Sequence, residues 1–154
     1  MSVSDGPTAP ARPDVDPPLD PRGVRFAAVV TTVVLTLVLI SGSGWLAAAQ
    51  ALVFALAAFA GMRFAPYGVL FRRLVAPRLD PPAEREPAAP VRFSQTVGFV
   101  FAAAGAVGYL SGLTVLGIVA TAFALVAAFL NAAFGFCLGC EMYGLIARAR
   151  TARA

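Results

Sequence analysis

The sequence predicts an all-α integral membrane protein with four transmembrane helices, arranged as two tandem hairpins that are each followed by a short interfacial segment. Three observations predict this class. The 154 residues are 59% hydrophobic and only 13% charged, whereas soluble domains are about a quarter charged. The mean hydropathy is +0.80. The charges also leave two long uncharged windows, at 26–62 and 93–140, and each is divided by a turn of small residues.

The N-terminal stretch from Met1 to Pro21 contains six Pro and four Asp against one Arg. A segment of this composition buries too little apolar surface to fold, and it lacks the basic start of a secretory signal. We therefore expect a disordered cytoplasmic tail over residues 1–21. The membrane domain then covers 22–150, and 151–154 form a short second tail.

The first uncharged window is 37 residues long, nearly twice the roughly 20 residues that a helix needs to cross a bilayer. It must therefore turn back on itself. The run Ser41-Gly42-Ser43-Gly44 supplies the turn, because glycine adopts positive φ without penalty and serine satisfies local backbone groups. We expect helices over residues 24–40 and 45–62.

A polar connection follows over residues 63–92 and carries six Pro and a majority of basic charges, so it stays in water. Its opening part, Tyr67 to Val75, mixes large apolar side chains with Arg72 and Arg73. That pattern predicts a short helix at the membrane surface. The second window turns at Ser111-Gly112, which predicts helices over 93–110 and 113–136.

An internal repeat supports two tandem hairpins. Arg25-Phe26 begins the first window as Arg92-Phe93 begins the second, and Tyr67-Gly68-Val69-Leu70 recurs as Tyr143-Gly144-Leu145-Ile146. A hairpin returns to its starting side, so the two units share one orientation and form a parallel repeat.

The arginines fix the predicted orientation, because both hairpin tips are uncharged and the positive-inside rule places basic flanks in the cytoplasm. We expect a multi-pass protein of the inner (plasma) membrane with both termini cytoplasmic. The bilayer, with its anionic headgroups, is then the first partner. Nucleic acid is excluded because no aromatic residues interleave the basic ones in the manner of a base-stacking surface. A homo-oligomer is compatible with the sequence. Apart from Arg25 at the start of the first, the predicted spans contain no charge, which argues against an ion channel or proton-coupled transporter.

The chain has two cysteines, Cys137 and Cys140, and the acidic Glu141 follows the second. At helical spacing the two sulfurs share one face, with Glu141 beside them. The pair could form a disulfide, hold sulfur as a persulfide or provide two metal ligands. The predicted site lies at the reducing cytoplasmic surface, where a purely structural disulfide is disfavoured.

Several interpretations of these residues stay open. If Gly135 or Gly139 breaks the helix and Cys137 begins a new one, the helix N-terminus favours the thiolate. If the preceding helix continues, the cysteines lie near its C-terminus beside Glu141, and the thiol is favoured. Glu141 is either a proton acceptor for a thiol or a solvated charge. The cysteines could simply be packing residues. One chain offers zinc only Cys137, Cys140 and Glu141, so a metal site needs thiolates from a second copy. No cofactor is predicted.

The stretch from Asn131 to Tyr143, which contains Phe136-Cys137-Leu138-Gly139-Cys140-Glu141, resembles the signature of a bacterial family of small membrane proteins, domain of unknown function 4395. The resemblance covers about Asp20 to Arg150. It implies an integral membrane protein of Cys-x-x-Cys type with thioredoxin-like or sulfurtransferase partners.

We therefore expect a cytoplasm-facing membrane dithiol that exchanges electrons or sulfur with a soluble protein. Cys137 and Cys140 are its reactive pair, and Glu141 assists. The alternative is a non-catalytic membrane subunit or scaffold that binds a partner through its Arg-rich loop.

Overall fold

The computed structural model describes residues 16–153, and the regular elements of this part of the chain are helices. The six α-helices are α1 (Pro21–Ser41), α2 (Gly44–Ala55), α3 (Pro66–Leu74), α4 (Ala88–Leu110), α5 (Thr114–Phe134) and α6 (Leu138–Ala152). A π-helical turn, Leu56–Ala60, continues α2, and short 3-10 turns stand on either side of α3. The predicted all-α class is confirmed.

The helices are suited to a bilayer. α1, α4 and α5 are long and apolar enough to cross a membrane, and Gly44–Ala60 is a shorter apolar helix. Large apolar side chains such as Ile40 and Trp45, each 77% exposed, cover the outside, whereas the polar Gln50 and Thr121 are 1% exposed. Exposing so much apolar surface to water would cost free energy, whereas exposing it to the hydrocarbon of a bilayer would not. A membrane protein is therefore the class that both the sequence and the structure support.

Local signals set the ends of the first helices. The carboxylate of Asp20 accepts the N–H of Arg22 and caps α1, with Pro21 in the first turn. Proline suits that position because its missing N–H would have no helical partner. Gly42, at φ 63°, ends α1, and the Ser43 hydroxyl accepts the N–H of Leu46 to begin α2. α1 thus begins three residues before the predicted start at 24 and ends one residue after the predicted end at 40.

The second half differs more from the prediction. α4 begins at Ala88, five residues before the predicted start at 93, because Pro87 and Pro90 lie at its cap and first turn, where proline is tolerated. The charged Arg92 is consequently inside the helix. α5 ends at Phe134, two residues before the predicted end at 136.

The helix packing exchanges partners between the two halves of the chain. α1 packs mainly on α5, α2 packs mainly on α4, and α4 also packs on α5. α1 and α2 contact each other less, although only two residues join them. The first helix of each half therefore packs on the second helix of the other half. α3 then packs on α1 as α6 packs on α4.

Two arginines, each directly followed by a phenylalanine in the sequence, reinforce this exchange. Arg25 donates from Nε to the carbonyl of Ala132 at 2.9 Å and from Nη2 to that of Ala133 at 3.0 Å, near the end of α5. Arg92 donates from Nε to the carbonyl of Ala58 at 2.6 Å, near the end of the π turn after α2. Each arginine thus satisfies terminal carbonyls that a helix cannot satisfy itself.

The segment Asp16 to Asp20 is held against the helices. Leu19 and Glu86 exchange two backbone hydrogen bonds, at 2.8 and 2.9 Å. The Asp16 carboxylate accepts the N–H of Met62 at 3.1 Å and lies 3.8 Å from Arg92. These contacts fix the last residues of the predicted disordered tail, since their polar groups find partners in the connection between α2 and α4. The rest of that predicted tail, 1–15, lies outside the described residues.

Candidate functional site

A break between α5 and α6 brings the cysteines to a helix start. Gly135 ends α5 in the left-handed region, at φ 66°, and its N–H donates to the carbonyl of Asn131 at 3.0 Å. Phe136 then leads to Cys137, which adopts extended backbone dihedrals and is the N-cap of α6. Of the two alternatives that the sequence leaves open, the structure has the broken helix.

The N-cap position gives Cys137 a specific partner. The backbone N–H of Cys140 donates to Sγ of Cys137 at 3.2 Å. Cys137 and Cys140 are joined as a disulfide, and their Cα atoms are 5.2 Å apart. In a reduced pair, a backbone N–H and the positive end of a helix stabilise a thiolate at this position. The structure therefore places the first sulfur where thiolate formation is favoured.

The two sulfurs have different surroundings. Cys140 packs against an apolar cluster formed by residues from four parts of the chain, Ala57, Met62, Ala65, Ala88 and Val91. Cys137 instead lines an internal cavity. Both cysteines are partly buried. Cys137 thus borders open space, whereas Cys140 borders packed side chains.

Glu141 lies in the first turn of α6 and is exposed. Its N–H donates to the carbonyl of Cys137 at 3.0 Å. Within residues 16–153 its carboxylate has no hydrogen-bond partner, so the structure brings the two cysteines together and leaves the Glu141 side chain apart. An acidic side chain in the first turn stabilises the helix dipole. The role of Glu141 as a proton acceptor stays a prediction.

Gly139 lets the dithiol helix lie directly on α4. It is buried, and a Cβ at this position would lie 2.6 Å from Cα, Cβ and Oγ of Ser94. One turn farther on, the rings of Tyr143 and Phe93 pack with centroids 5.9 Å apart. The sequence suggests Gly139 only as a possible helix break and does not predict its contact with Ser94. Gly144, on the same helix, has nothing within 4 Å and looks no different in the sequence.

The cavity that Cys137 borders has a volume of about 710 Å³ and is lined by residues of all six α-helices. Its wall is mostly apolar, with Phe54, Phe71, Phe101 and Phe123 among the largest side chains. Asn131, which the sequence places one turn before Gly135, lines it as well. No local sequence pattern predicts this cavity. Its shape depends on the distances between helices that are far apart in the sequence.

Two polar pairs support the residues around the cavity. Arg22 forms an ion pair with Asp20 at 2.9 Å, and this hydrogen-bonded arginine lowers the pKa of the Asp20 carboxyl. The Tyr67 hydroxyl, on α3, donates to Oε1 of Gln50 at 2.7 Å. Partial burial raises the pKa of the Tyr67 phenol above its usual value. α3 therefore reaches between the helices rather than only covering their ends.

Residues 16–153 contain no group of three or more His, Cys, Asp or Glu side chains placed to hold a metal ion. The family described as "Domain of unknown function (DUF4395)" matches residues 19–148. That range includes the described cysteine pair, both arginines of the exchange and nearly all residues around the cavity. No curated protein and no solved structure matches the chain.

Proposed function

We propose that this chain, which belongs to the DUF4395 family, is a multi-pass protein of the inner (plasma) membrane. It carries a reactive dithiol on its cytoplasmic side. In this arrangement α1, α2 with its π turn, α4 and α5 cross the bilayer. The charge pattern supports it, because the connections at 42–43 and 111–113 are uncharged and the arginines lie at the other helix ends. Both termini are then cytoplasmic.

The helix formed by Gly44–Ala60 is the shortest of the four proposed spans. Its 17 residues extend for about 25 Å, against a hydrocarbon core of roughly 30 Å. Trp45 lies in its first turn and Arg63 lies just beyond its end. Such residues anchor a short span at the interfaces while the bilayer thins locally. The length is therefore compatible with a fourth crossing.

The dithiol function rests on one observation: Cys137 caps α6, accepts the N–H of Cys140 and lies within bonding reach of its sulfur. In the proposed reaction the Cys137 thiolate attacks a disulfide of a soluble thioredoxin-like protein and forms a mixed disulfide. The Cys140 thiolate then attacks Sγ of Cys137 and releases the partner as a dithiol. Two electrons and two protons pass to the partner, and the reverse sequence restores the reduced pair.

Sulfur transfer uses the same first step with a different donor. A persulfide on a soluble sulfurtransferase would pass its outer sulfur to the Cys137 thiolate, which leaves the donor as a thiolate and Cys137 as a persulfide. Attack by Cys140 on Sγ of Cys137 would then release hydrosulfide and form the disulfide. Both versions require Cys137 as the first nucleophile and Cys140 as the resolving thiol.

Single-cysteine variants test this assignment. With Cys140→Ser, the mixed disulfide cannot resolve. We therefore expect a covalent adduct between Cys137 and a thioredoxin that lacks its own resolving cysteine and whose remaining cysteine is activated as a mixed disulfide with 2-nitro-5-thiobenzoate, which leaves as the free thiolate. With Cys137→Ser, we expect no adduct. Each variant should also fail to complement a deletion strain while still inserting into membranes. Full complementation by both variants would contradict the proposal.

A scaffold role through the Arg-rich loop is the second candidate. Arg73 and Arg78 favour it, because both are exposed and neither forms an ion pair within the described residues. Deleting the loop would be uninformative, since Glu86 pairs with Leu19 and α4 begins at Ala88. The double variant Arg73→Gln/Arg78→Gln is sharper. If it abolishes complementation while the cysteine variants do not, the scaffold is the better account.

A further inference from the structure

The cavity extends from the arginine-rich end of the helices toward their middle. Along α1 its lining runs from Gly23 to Thr31, and along α4 from Val91 to Phe101. At 1.5 Å per residue these stretches span about 12 and 15 Å, which is about half of a roughly 30 Å hydrocarbon core. The cavity therefore has the depth of one bilayer leaflet.

Positive charge collects at the outer end of this cavity. Arg63, Arg72 and Arg85 line it, and all three are exposed. None of them forms an ion pair within residues 16–153. The acidic side chain on the same wall, Asp20, is already paired with Arg22. The mouth thus offers guanidinium groups to an anion, and one of them is oriented by the hydrogen bond from Arg72 Nη2 to the carbonyl of Arg63 at 2.6 Å.

The inner part of the cavity offers no charged side chain, and Thr31, Gln95 and Asn131 are among the few polar residues that line it. Its wall is built mainly from Phe, Val and Ala side chains of α1, α2, α4 and α5. An apolar space of this kind holds water poorly and hydrocarbon well. The cavity therefore has a positively charged mouth at the arginine-rich end of the helices. Behind the mouth, an apolar channel continues for about the depth of one bilayer leaflet.

We propose that this cavity binds one anionic membrane lipid. Its phosphate lies against Arg63 and Arg72, with Arg85 nearby, and an acyl chain extends inward past Phe101 and Phe123. The mouth is complementary to the charge of the headgroup, because arginines near the membrane surface attract anionic lipids. Neutral lipids lack that contribution, and a free anion would leave the apolar channel empty.

The observations that support this site are separate from those that support the thiol chemistry, although both proposals place the chain in a membrane. Its wall nevertheless includes Cys137. A lipid in the cavity would cover the side of Sγ that faces inward, so lipid occupancy and the reaction rate of that sulfur should be linked. The loss of lipid binding would leave the dithiol assignment standing, and the loss of either cysteine would leave the lipid site intact.

Photo-crosslinking tests the proposal. The full chain is placed in phosphatidylcholine nanodiscs with a trace of phosphatidylglycerol that carries a diazirine in its acyl chain. We expect crosslinks at cavity residues that are shielded from the outer surface, with Phe54, Phe101 and Ala124 the main sites. Arg63→Gln/Arg72→Gln should reduce the yield at least tenfold. Arg148→Gln/Arg150→Gln, which removes the same charge from exposed positions of α6 outside the lining, should leave it unchanged.

Three further results decide the matter. An equal yield at the same residues with a phosphatidylcholine diazirine would overturn the role of charge. Crosslinks confined to outward side chains such as Val119 and Phe129 would overturn the site itself. Displacement of the probe by millimolar inorganic phosphate would show a free-anion site, whereas we expect none. Helical circular dichroism and the melting temperature of each variant separate lost binding from lost folding.

Discussion

The substitution Gly139→Ala should separate α6 from α4 and displace the dithiol. The added Cβ would lie 2.6 Å from three atoms of Ser94, whereas ordinary contacts begin at 3.4 Å. The helices must therefore move apart by about 0.8 Å or distort. Overpacking of this kind costs about 1–3 kcal/mol. Alanine also favours a helix over glycine by about 1 kcal/mol, which partly offsets that cost.

Gly144→Ala is the matched control because Gly144 lies on the same helix with nothing within 4 Å. It gains the same helix propensity without a clash. The difference in unfolding free energy between the two variants should therefore be about 1–3 kcal/mol, with Gly139→Ala the less stable. The assay is denaturant unfolding of the reduced protein in detergent micelles, followed by circular dichroism. Equal stability of the two variants would refute the close packing of α6 on α4.

The remaining predictions concern the polar contacts around the helices. Arg25→Gln and Arg92→Gln should each lower the unfolding free energy by about 1–2 kcal/mol, because each leaves terminal carbonyls without their donor; a change below about 0.3 kcal/mol in both would contradict the exchange between halves. Tyr67→Phe should cost about 1–3 kcal/mol by the same assay, since it leaves the buried Oε1 of Gln50 unpaired, and a neutral result would contradict that contact. Asp20→Asn should remove a pH-dependent contribution to the free energy of unfolding. The pKa of this carboxyl is lowered in the folded state. Its stabilisation is therefore fully present above the unfolded pKa of 3.8 and is lost as the pH falls through the folded-state pKa. Unfolding curves of both proteins from pH 6 to pH 2 should therefore converge on acidification, and a constant gap would refute the assignment.

Local signals made the helices predictable. These signals are the uncharged windows, the turn residues such as Gly42 and Ser43, and the prolines at helix starts. The predicted and observed helix ends agree to within a few residues, except at the start of α4. That start was placed too late because Arg92 looked like a boundary. In the structure its long side chain reaches the carbonyl of Ala58, so a charge at this position does not require the helix to begin after it.

The site was only partly predictable. Cys137 and Cys140 stand out by composition alone, but the sequence allowed both a continuous and a broken helix before them. In the structure, Gly135 ends the helix because its backbone is in the left-handed region. The sequence alone does not show this, because many glycines lie inside helices with ordinary helical dihedrals. The clash at Gly139 and the cavity beside Cys137 depend on helices distant in sequence. Periodicity and spacing carry no information about such contacts.

Thiol labelling with a charged, membrane-impermeant maleimide tests the central claim most directly. Right-side-out and inverted vesicles are labelled before and after mild reduction, with Cys137→Ser and Cys140→Ser as controls. A cytoplasmic disulfide–dithiol pair predicts no labelling before reduction, and after reduction labelling of inverted vesicles alone, mainly at Cys137. Labelling of right-side-out vesicles alone, or none in either preparation after reduction, would contradict it.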